Sequence, residues 1–548
     1  MNKKKLLLAI VSFAFVLISC STKDSKKEGQ TFDTKMGKRL ANYAKVELTA
    51  DLSSLSVNQK EILTILFDAS DIIDEIFWYQ TYGDKEALYN KIKDENTLKY
   101  VNINYGPWDR LKENTSFVEG IYKKPEGSNL YPHDITYVEF ENLNDIEKYN
   151  PYTILRRNEL GGLQTIPYHK AYNEKLEKIA QLLNTAATKT NNANFKEYLS
   201  SRADALLSDD FYKSDIAWMK MKNNTIDIII GPIEDTEDRL FWTKTTYQSM
   251  VLIKDKKSSE DLEKYSLLLP YLQKNLPVDP KYITDIQGKL SDIMVYNVIY
   301  CKGFWNAGSK KIAITLPKDG QVQLKVGSRK LQFKNVMEAK FEKILKPISG
   351  LLIDKEQQKH VKFQAFFENT MFYEIGSALG LNNTIKGETV RNALAENYNI
   401  IEESKNDILS LFFITKLYEM GELSQGDIMD NYVTYMADIF RSVRFGISND
   451  QGVANVMRFN YFEKEGAFTR DKKTGTYSVN FDNMKSAMLK LAEEILTIQG
   501  EGDYIAAKKL IDQNGYIKDD LLNDLYRIQY KHIPKDICFI QGKSLLDL

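Results

Sequence analysis

The spacing of apolar residues changes near the middle of this 548-residue chain, and that change constrains the fold most strongly. Between about Thr225 and Phe333, apolar residues form short runs or alternate as in strands, whereas after Lys340 they recur every three or four residues, as in helices. Gly327 and Ser328 read as a hairpin turn between two strands. The strand-like segments are Asn224–Glu234, Ser249–Asp255, Lys310–Pro317 and Gln321–Phe333. We therefore predict the α+β class.

Helical spacing also appears before the strands, in Gln59–Gln80. In the second half, apolar residues from Phe363 to Leu379 lie on one stripe, and Gly380 is placed to end that helix. The other predicted helices carry a glycine at or near their carboxyl ends and cover residues 408–421, 432–446 and 483–500. Helices are therefore expected to dominate this half of the chain.

The amino terminus has the pattern of a secretion signal. Three lysines, Lys3 to Lys5, precede an apolar run from Leu6 to Ile18. That run is too short for a stable helix across a bilayer of about 30 Å. The segment Leu17–Cys20 resembles a bacterial lipobox, which implies cleavage before Cys20 and lipidation of its thiol. The alternative is a plain signal peptide in which Cys20 has no special role.

These features divide the chain into three parts. We expect a signal peptide at residues 1–19, a lipid-anchored flexible tether at 20–42 and a folded body at 43–548. The tether is polar and charged, as flexible linkers are. The predicted location is the bacterial cell envelope, with lipid-anchored Cys20 as the membrane contact, on the periplasmic side or the outer-membrane surface.

Composition excludes some classes of function. Lys and Arg number 74 and Asp and Glu 75, so the basic surface that nucleic acid requires is not expected. A hydrophobic fraction of 43% and a charged fraction of 27% are ordinary for a globular protein. Apart from Cys20, the cysteines are Cys301 and Cys538. The sequence permits a disulfide between them but favours buried, inert thiols.

One helical segment, Met371–Gly380, has the outline of a zinc motif without its histidines. In H-E-x-x-H the helical period brings two imidazoles to one metal, and the glutamate polarises the metal's water. Here Glu374 stands between Tyr373 and Ser377. The chain has four histidines, and the closest pair, at positions 133 and 169, is 36 residues apart. A catalytic zinc usually has three protein ligands, so the pattern indicates a degenerate site.

Several blocks of sequence identify a resemblance to a known family. NTMFYEIGSALG, with Glu402–Asp407 further along, resembles the bacterial lipoprotein branch of the dipeptidyl peptidase III family. These are zinc exopeptidases that remove dipeptides from peptide amino termini. The blocks NYGPWDRL, IIGPIEDTEDRLF and NAGSKKIAITLP are similar to the same branch, so the resemblance covers most of the chain.

The resemblance implies roles for the residues of the metal site. The two ligand histidines of the family correspond to Tyr373 and Ser377, and the third ligand, a glutamate, corresponds to Glu403. Glu374 corresponds to the general base, which is vestigial if no metal binds. In the motif Glu-Glu-x-x-Ala-Asp, Asn406 replaces the alanine.

The resemblance also implies positions that contact substrate. Glu234 corresponds to the carboxylate that holds a peptide's amino terminus. Thr236 replaces the tyrosine that supports the substrate carbonyl. Thr315 and Lys318 replace the two asparagines that hold the bound peptide, and Gln451 replaces a histidine that stabilises the transition state. The implied fold is bilobal with a wide cleft between lobes. The expected mixed lobe, with a β core, covers roughly residues 43–254, 299–344 and 501–548, and the mostly helical lobe covers 255–298 and 345–500.

We therefore predict a non-catalytic pseudopeptidase that binds a peptide or a partner protein in its cleft and needs no cofactor. The alternative is an active peptidase that releases dipeptides through a displaced metal site, in which case zinc is the expected cofactor. Two minor possibilities stay open. Glu403 and Asp407 could hold a hard cation, although solvation or pairing with Lys405 and its neighbours is favoured. His360 could approach Tyr373, although a solvent-facing histidine is favoured.

Overall fold

The computed structural model describes residues 35–284, 292–376, 379–423 and 426–548. It is an α+β protein of two lobes. Its strands, in chain order, are β1 Tyr43–Glu47, β2 Trp108–Asp109, β3 Thr115–Ser116, β4 Thr153–Arg157, β5 Leu163–Pro167, β6 Ile226–Glu234, β7 Thr246–Lys254, β8 Asp292–Gly303, β9 Ala313–Leu316, β10 Arg329–Phe333, β11 Phe468–Arg470, β12 Tyr477–Val479 and β13 Asp536–Ile540.

The helices surround these strands and make up most of the second half of the chain. They are α1 Lys35–Leu40, α2 Val57–Thr81, α3 Lys85–Lys91, α4 Glu95–Asn104, α5 Tyr137–Asn142, α6 Tyr168–Ala171, α7 Asn173–Lys189, α8 Ala193–Ser208, α9 Tyr212–Lys220, α10 Lys256–Ser266, α11 Leu269–Lys274, α12 Gly320–Val326, α13 Lys334–Lys340, α14 Lys346–Leu352, α15 Phe363–Gly376, α16 Val390–Leu394, α17 Tyr398–Glu419, α18 Ile428–Val443, α19 Asp450–Lys464, α20 Phe481–Glu501, α21 Tyr504–Asn514 and α22 Asp519–Tyr530.

A five-stranded mixed sheet forms the core of one lobe. Its strand order is β6-β7-β8-β10-β9; the pairing of β8 with β10 is parallel and the other pairings are antiparallel. Nearly every residue of β6 and β7 is buried, as expected for strands covered on both faces. The long helix α2 packs across β7 and β8. The short strand β9 forms one edge of the sheet, and that edge faces the helical lobe.

The structure confirms three of the four predicted strand segments and corrects the fourth. The segment Gln321–Phe333 is not a hairpin, because its first half is helix α12 and only its second half is a strand, β10. The Asp319 carboxylate caps that helix by accepting from the backbone N–H groups of Gln321 and Val322. Gly327, predicted to lie in a hairpin turn, instead ends α12 with a φ of +84°.

Strand β8 is the one long strand of the sheet that the sequence analysis missed. The predicted boundary between the lobes at residues 298 and 299 falls inside it. The two lobes themselves are confirmed, whereas their exact residue limits stay a prediction.

The predicted helices of the second half are present as α15, α17, α18 and α20, and the early helix is present as α2. Helices α15 and α17 pass very close to each other at Gly376. A Cβ atom at this position would lie 2.7 Å from the main-chain oxygen of Asn406. Gly380 lies beyond α15 with a φ of +101°, a conformation that glycine adopts readily.

The folded body begins earlier than the sequence indicated. Residues 35–40, assigned to the flexible tether, form helix α1, where the Arg39 guanidinium lies 3.7 Å from the carboxylate of buried Asp109. The predicted signal peptide and Cys20 lie outside the described residues. In the part of the chain that the structure covers, no helix combines the length and apolar character needed to span a membrane.

Candidate functional site

The candidate site lies where α15 meets the β9 edge of the sheet. Thr315 on β9 and Lys330 on β10 are direct partners in the antiparallel register, so their side chains share one face of the sheet. The Thr315 hydroxyl donates to Oε2 of Glu374 at 3.2 Å, and Nζ of Lys330 lies 3.8 Å from the same oxygen. The predicted general base is thus paired with a threonine and a lysine.

Lys330 is buried, which makes its pairing with Glu374 more consequential than a surface ion pair. Burial lowers the pKa of Lys330, and the charge of Glu374 acts in the opposite direction. The ammonium also donates to the main-chain carbonyl of Glu374. Lys330 therefore fixes both the side chain and the backbone of Glu374 on α15.

Tyr373, at a position where the family has a zinc ligand, is bound to the predicted third ligand. Its phenol donates a hydrogen bond of 2.5 Å to Oε2 of Glu403 on α17. Burial, and then the negative charges of Glu403 and Asp407, raise the pKa of Tyr373 far above its usual range. The phenol is therefore neutral at physiological pH and acts as a hydrogen-bond donor. The other ligand position, Ser377, lies outside the described residues.

The carboxylates next to Glu403 are also paired with cations. Asp407, one helical turn along α17, forms an ion pair with the buried guanidinium of Arg458 on α19. Burial raises the pKa of Asp407 to about 6, with Arg458 acting against the increase and Glu403 adding to it. Glu402 accepts from buried Lys405 at 2.7 Å. The sequence analysis favoured solvation or pairing with Lys405 and its neighbours. Asp407 is indeed paired with a cation, but that cation is Arg458, whereas Lys405 pairs with Glu402.

Glu234, predicted to hold a peptide's amino terminus, is buried at the end of β6. Its Oε1 accepts from Nζ of Lys311 at 2.6 Å and from the indole N–H of Trp305 at 3.0 Å. Burial alone would raise the pKa of Glu234, but Lys311 and Trp305 outweigh that effect, and the pKa is lowered. The carboxylate is therefore charged and is already matched by an ammonium group.

A pocket of about 510 Å³ opens beside this ion pair. Thr236, the position of the family's supporting tyrosine, lies on its wall together with Lys311. Its charged lining residues are Arg110, Glu113, Lys123, Lys124, Glu126, Glu237, Arg239, Lys310 and Lys311. A second pocket, of about 460 Å³, has a lining that includes Tyr152, Pro232, Ile233, Asp235 and Lys318.

Two residues that the sequence analysis considered, Gln451 and His360, lie apart from Tyr373 and Glu403. Gln451 is exposed in the first turn of α19, and its side chain forms no hydrogen bond to the described residues. It precedes Arg458 by seven residues, or roughly 10 Å along the helix. His360 is neither at the metal position nor solvent-facing, because its side chain is largely buried and Nδ1 lies 2.7 Å from Asp430.

Comparison with known proteins decides the family. Residues 152–417 match the model for peptidase family M49. The solved structure of DPP III from Caldithrix abyssi is 34% identical, with a TM-score of 0.89 over 93% of this chain and 99% of that one. The chain belongs to the dipeptidyl peptidase III family. Dipeptidyl-peptidase III from Corallococcus sp. strain EGB is also similar, with 31% identity and a TM-score of 0.79 over 92% of this chain and 96% of that one.

A plant protein is also similar to this chain in sequence. Nudix hydrolase 3 of Arabidopsis thaliana is 32% identical over 567 aligned positions, which cover 91% of this chain and 73% of the relative. The predicted α+β, two-lobed dipeptidyl peptidase III fold is thus confirmed.

The described residues do not fit the zinc ion of a dipeptidyl peptidase III. Of the positions that the family uses as ligands, Tyr373 presents a neutral phenol and Glu403 accepts its proton in a hydrogen bond. A zinc ion needs deprotonated or neutral lone-pair donors from about three side chains. Within the described ranges, no group of three or more His, Cys, Asp or Glu side chains could hold a metal ion.

The sequence analysis missed the basic residues that pair with the site's carboxylates. Lys311, Lys330 and Arg458 each contact a predicted site residue, and Trp305 contacts Glu234. Lys311 could have been noticed in the sequence, because it lies within NAGSKKIAITLP, a segment similar to the family. The other pairings join residues far apart in sequence and have no local pattern.

The two cysteines behave as the composition favoured. Both are free thiols, with Cys301 buried and Cys538 half-buried. Burial raises the pKa of Cys301 to about 12, so this thiol is unreactive at neutral pH.

Proposed function

We propose that this member of the dipeptidyl peptidase III family does not hydrolyse peptides and instead binds a peptide or a partner protein in its cleft. The observation that carries the proposal is the hydrogen bond from Tyr373 to Glu403. It joins two positions that the family uses for zinc, and its donor has a strongly raised pKa. Without a metal-bound water, Glu374 has no sufficiently acidic proton to remove.

A second observation supports the loss of catalysis. Lys330 and Thr315 hold the carboxylate of Glu374, so the predicted base has two donors of the protein itself beside it. Both contacts are to Oε2 of Glu374, so this carboxylate oxygen already has partners within the protein. The geometry is that of a structural ion pair at the junction of α15 and the sheet.

Binding in the cleft is the function that the remaining geometry supports best. Pockets of about 510 and 460 Å³ lie at the positions of Thr236 and Lys318, and both are within the size range of ligand sites. Polar side chains at both pockets can bind the main chain of an extended peptide. In this proposal the two pockets still bind a peptide, although the chain no longer hydrolyses it.

We further propose that the protein is a lipoprotein of the bacterial cell envelope, anchored through Cys20. The support is the basic and apolar amino-terminal sequence with its lipobox-like end. Membrane fractionation of cells that express the full chain tests this. The wild type should sediment with membranes and Cys20→Ser should not. Equal partition of both proteins would contradict the anchor.

Peptide arylamide assays test the proposed lack of catalysis. Purified protein is incubated with dipeptidyl arylamides, alone and with Zn²⁺, Mn²⁺ or Co²⁺, beside a Glu374→Gln variant. We expect no turnover above background under any of these conditions. Metal-dependent turnover that disappears in Glu374→Gln would establish an active peptidase with a non-standard metal site.

A further inference from the structure

The position that would receive a peptide's amino terminus is already filled by this chain's own lysine. Nζ of Lys311 lies 2.6 Å from Oε1 of Glu234, within hydrogen-bond distance, and Trp305 donates to the same oxygen at 3.0 Å. A peptide ammonium would have to displace Lys311 and would bring a second positive charge next to it. Such a ligand gains little from Glu234.

The pocket beside this ion pair is rich in positive charge. Six basic side chains line it against three acidic ones, so its lining carries a formal charge of +3. One of the acidic residues, Glu237, is buried and bound by both Arg110 and Lys124. Counted with Glu234, which lies behind Lys311, the local charge remains +2.

Two of the cations are not bound to a carboxylate at the pocket. Lys310 is buried, and its Nζ donates to the main-chain oxygens of Asn306 and Gly308 at 2.6 and 3.0 Å. Arg239 is exposed at the pocket, and its guanidinium has no ion pair in the described part of the chain. These two groups leave a positive field that the protein does not cancel locally.

We propose that this pocket binds the carboxylates of an acidic peptide, and that the ligand needs no free amino terminus. This inference rests on the proposed non-catalytic binding function and names its class of ligand. A carboxylate can form paired hydrogen bonds with a guanidinium and meets an attractive potential throughout the pocket. A positively charged amino terminus meets a repulsive potential in the pocket, and the Glu234 carboxylate is already paired with Lys311. The pocket thus favours a negatively charged group of the ligand, whereas a cleft that binds a peptide's amino terminus favours a positively charged one.

Matched tetrapeptides test the proposal with the full chain. Fluorescently labelled, N-acetylated tetraglutamate amide is compared with N-acetylated tetraglutamine amide by fluorescence anisotropy. We expect the acidic peptide to bind at least about tenfold more tightly at low salt, with the difference shrinking as salt screens the charges. Equal affinities would overturn the proposal.

Single substitutions place the binding in this pocket. Arg239→Gln removes an exposed cation at the pocket and should weaken acidic-peptide binding several-fold. Lys178→Gln removes an exposed cation on α7, outside the pocket lining, and should leave the affinity unchanged. If both substitutions have the same effect, the peptide binds by general attraction and the proposed site is wrong.

A reciprocal variant tests the role of Lys311. Lys311→Met frees Glu234, and it should weaken binding of the acidic peptide while allowing tetraglutamine amide with a free amino terminus to bind. If that free-amine peptide already binds the wild type uncut and more tightly than the acidic one, this inference fails and the proposed binding function stands. If either peptide is cleaved, the proposed function itself is wrong.

Discussion

The phenol of Tyr373 donates a hydrogen bond of 2.5 Å to the carboxylate of Glu403, and this bond joins α15 to α17. In the dipeptidyl peptidase III family, a zinc ion joins the corresponding helices. If the proposed function is right, a protonated side chain takes the place of that metal bridge and reaches the same carboxylate. Arg458 on α19 pairs with Asp407 on the same face of α17.

Removing the Tyr373 hydroxyl should destabilise the protein. Tyr373→Phe leaves Glu403 without its donor, and hydrogen bonds to charged groups contribute about 1.5–3 kcal/mol. Urea unfolding should show a loss of this size. The matched control is Tyr530→Phe, at a tyrosine that is 80% exposed, and its stability should be unchanged within about 0.5 kcal/mol. A Tyr373→Phe protein as stable as the control would show that the bond contributes nothing.

The close approach of α15 and α17 gives a second prediction. Gly376→Ala places a Cβ atom 2.7 Å from the Asn406 main-chain oxygen, so the helices must separate, and we expect a destabilisation of about 1–3 kcal/mol. Gly350→Ala is the control, because a Cβ atom there meets nothing within 4 Å inside helix α14. That change should stabilise the protein by up to about 1 kcal/mol. Equal effects of the two substitutions in urea unfolding would contradict the close packing.

Local sequence patterns predicted most of this fold but missed its long-range pairings. The apolar run of β6 and the periodic stripe of α15 carry their own signals, because burial of a face depends on spacing alone. Helix α12 was mistaken for a strand because its residues alternate like one, and the cap by Asp319 decided otherwise. Lys311 and Glu234 are 77 residues apart, so only the folded chain reveals their contact.

The site itself was located through the family resemblance and not through its chemistry. The resemblance pointed to Tyr373, Glu374 and Glu403, which the structure places together at the junction of α15, α17 and the sheet edge. It also pointed to Gln451, whose exposed side chain on α19 forms no hydrogen bond to the described residues. A resemblance transfers positions, but it does not predict which other side chains of this chain contact them.

The buried carboxylate of Glu237 should make stability depend on acid. Burial alone would raise its pKa, but Arg110 and Lys124 hold the pKa far below the usual 4.5. The unfolded chain therefore binds a proton more readily than the folded one below about pH 4.5. The stabilisation is complete above that pH and is lost as the pH falls, by about 1.4 kcal/mol per pH unit.

Unfolding measured between pH 2 and 4 checks this dependence. Glu237→Gln should reduce the acid slope by about one proton. At neutral pH it should lower the stability by about 3–5 kcal/mol, since buried Lys124 and half-buried Arg110 lose their partner. Glu126→Gln, at an exposed glutamate, should keep the wild-type slope. Identical slopes for all three proteins would refute the assignment.

Restoring the two histidines should restore metal binding before activity. In the double variant Tyr373→His with Ser377→His, two imidazoles join Glu403, and together they supply the three protein ligands that a catalytic zinc usually has. Equilibrium dialysis should give close to one zinc per chain, and Tyr373→His alone should bind far more weakly. Arylamide turnover should stay absent, because Lys311 still pairs with Glu234, the carboxylate that would hold the substrate's amino terminus. A folded double variant that binds no zinc would show that the scaffold of the metal site is lost.

The zinc content of the wild-type protein tests the central claim most directly. The protein is purified without a metal-binding tag, dialysed against buffer containing Zn²⁺, exchanged into metal-free buffer and analysed by mass spectrometry. Because the Tyr373 phenol stays protonated and donates a hydrogen bond to Glu403, we predict far less than one zinc per chain. Near-stoichiometric zinc, together with removal of dipeptides from peptide amino termini, would contradict the account.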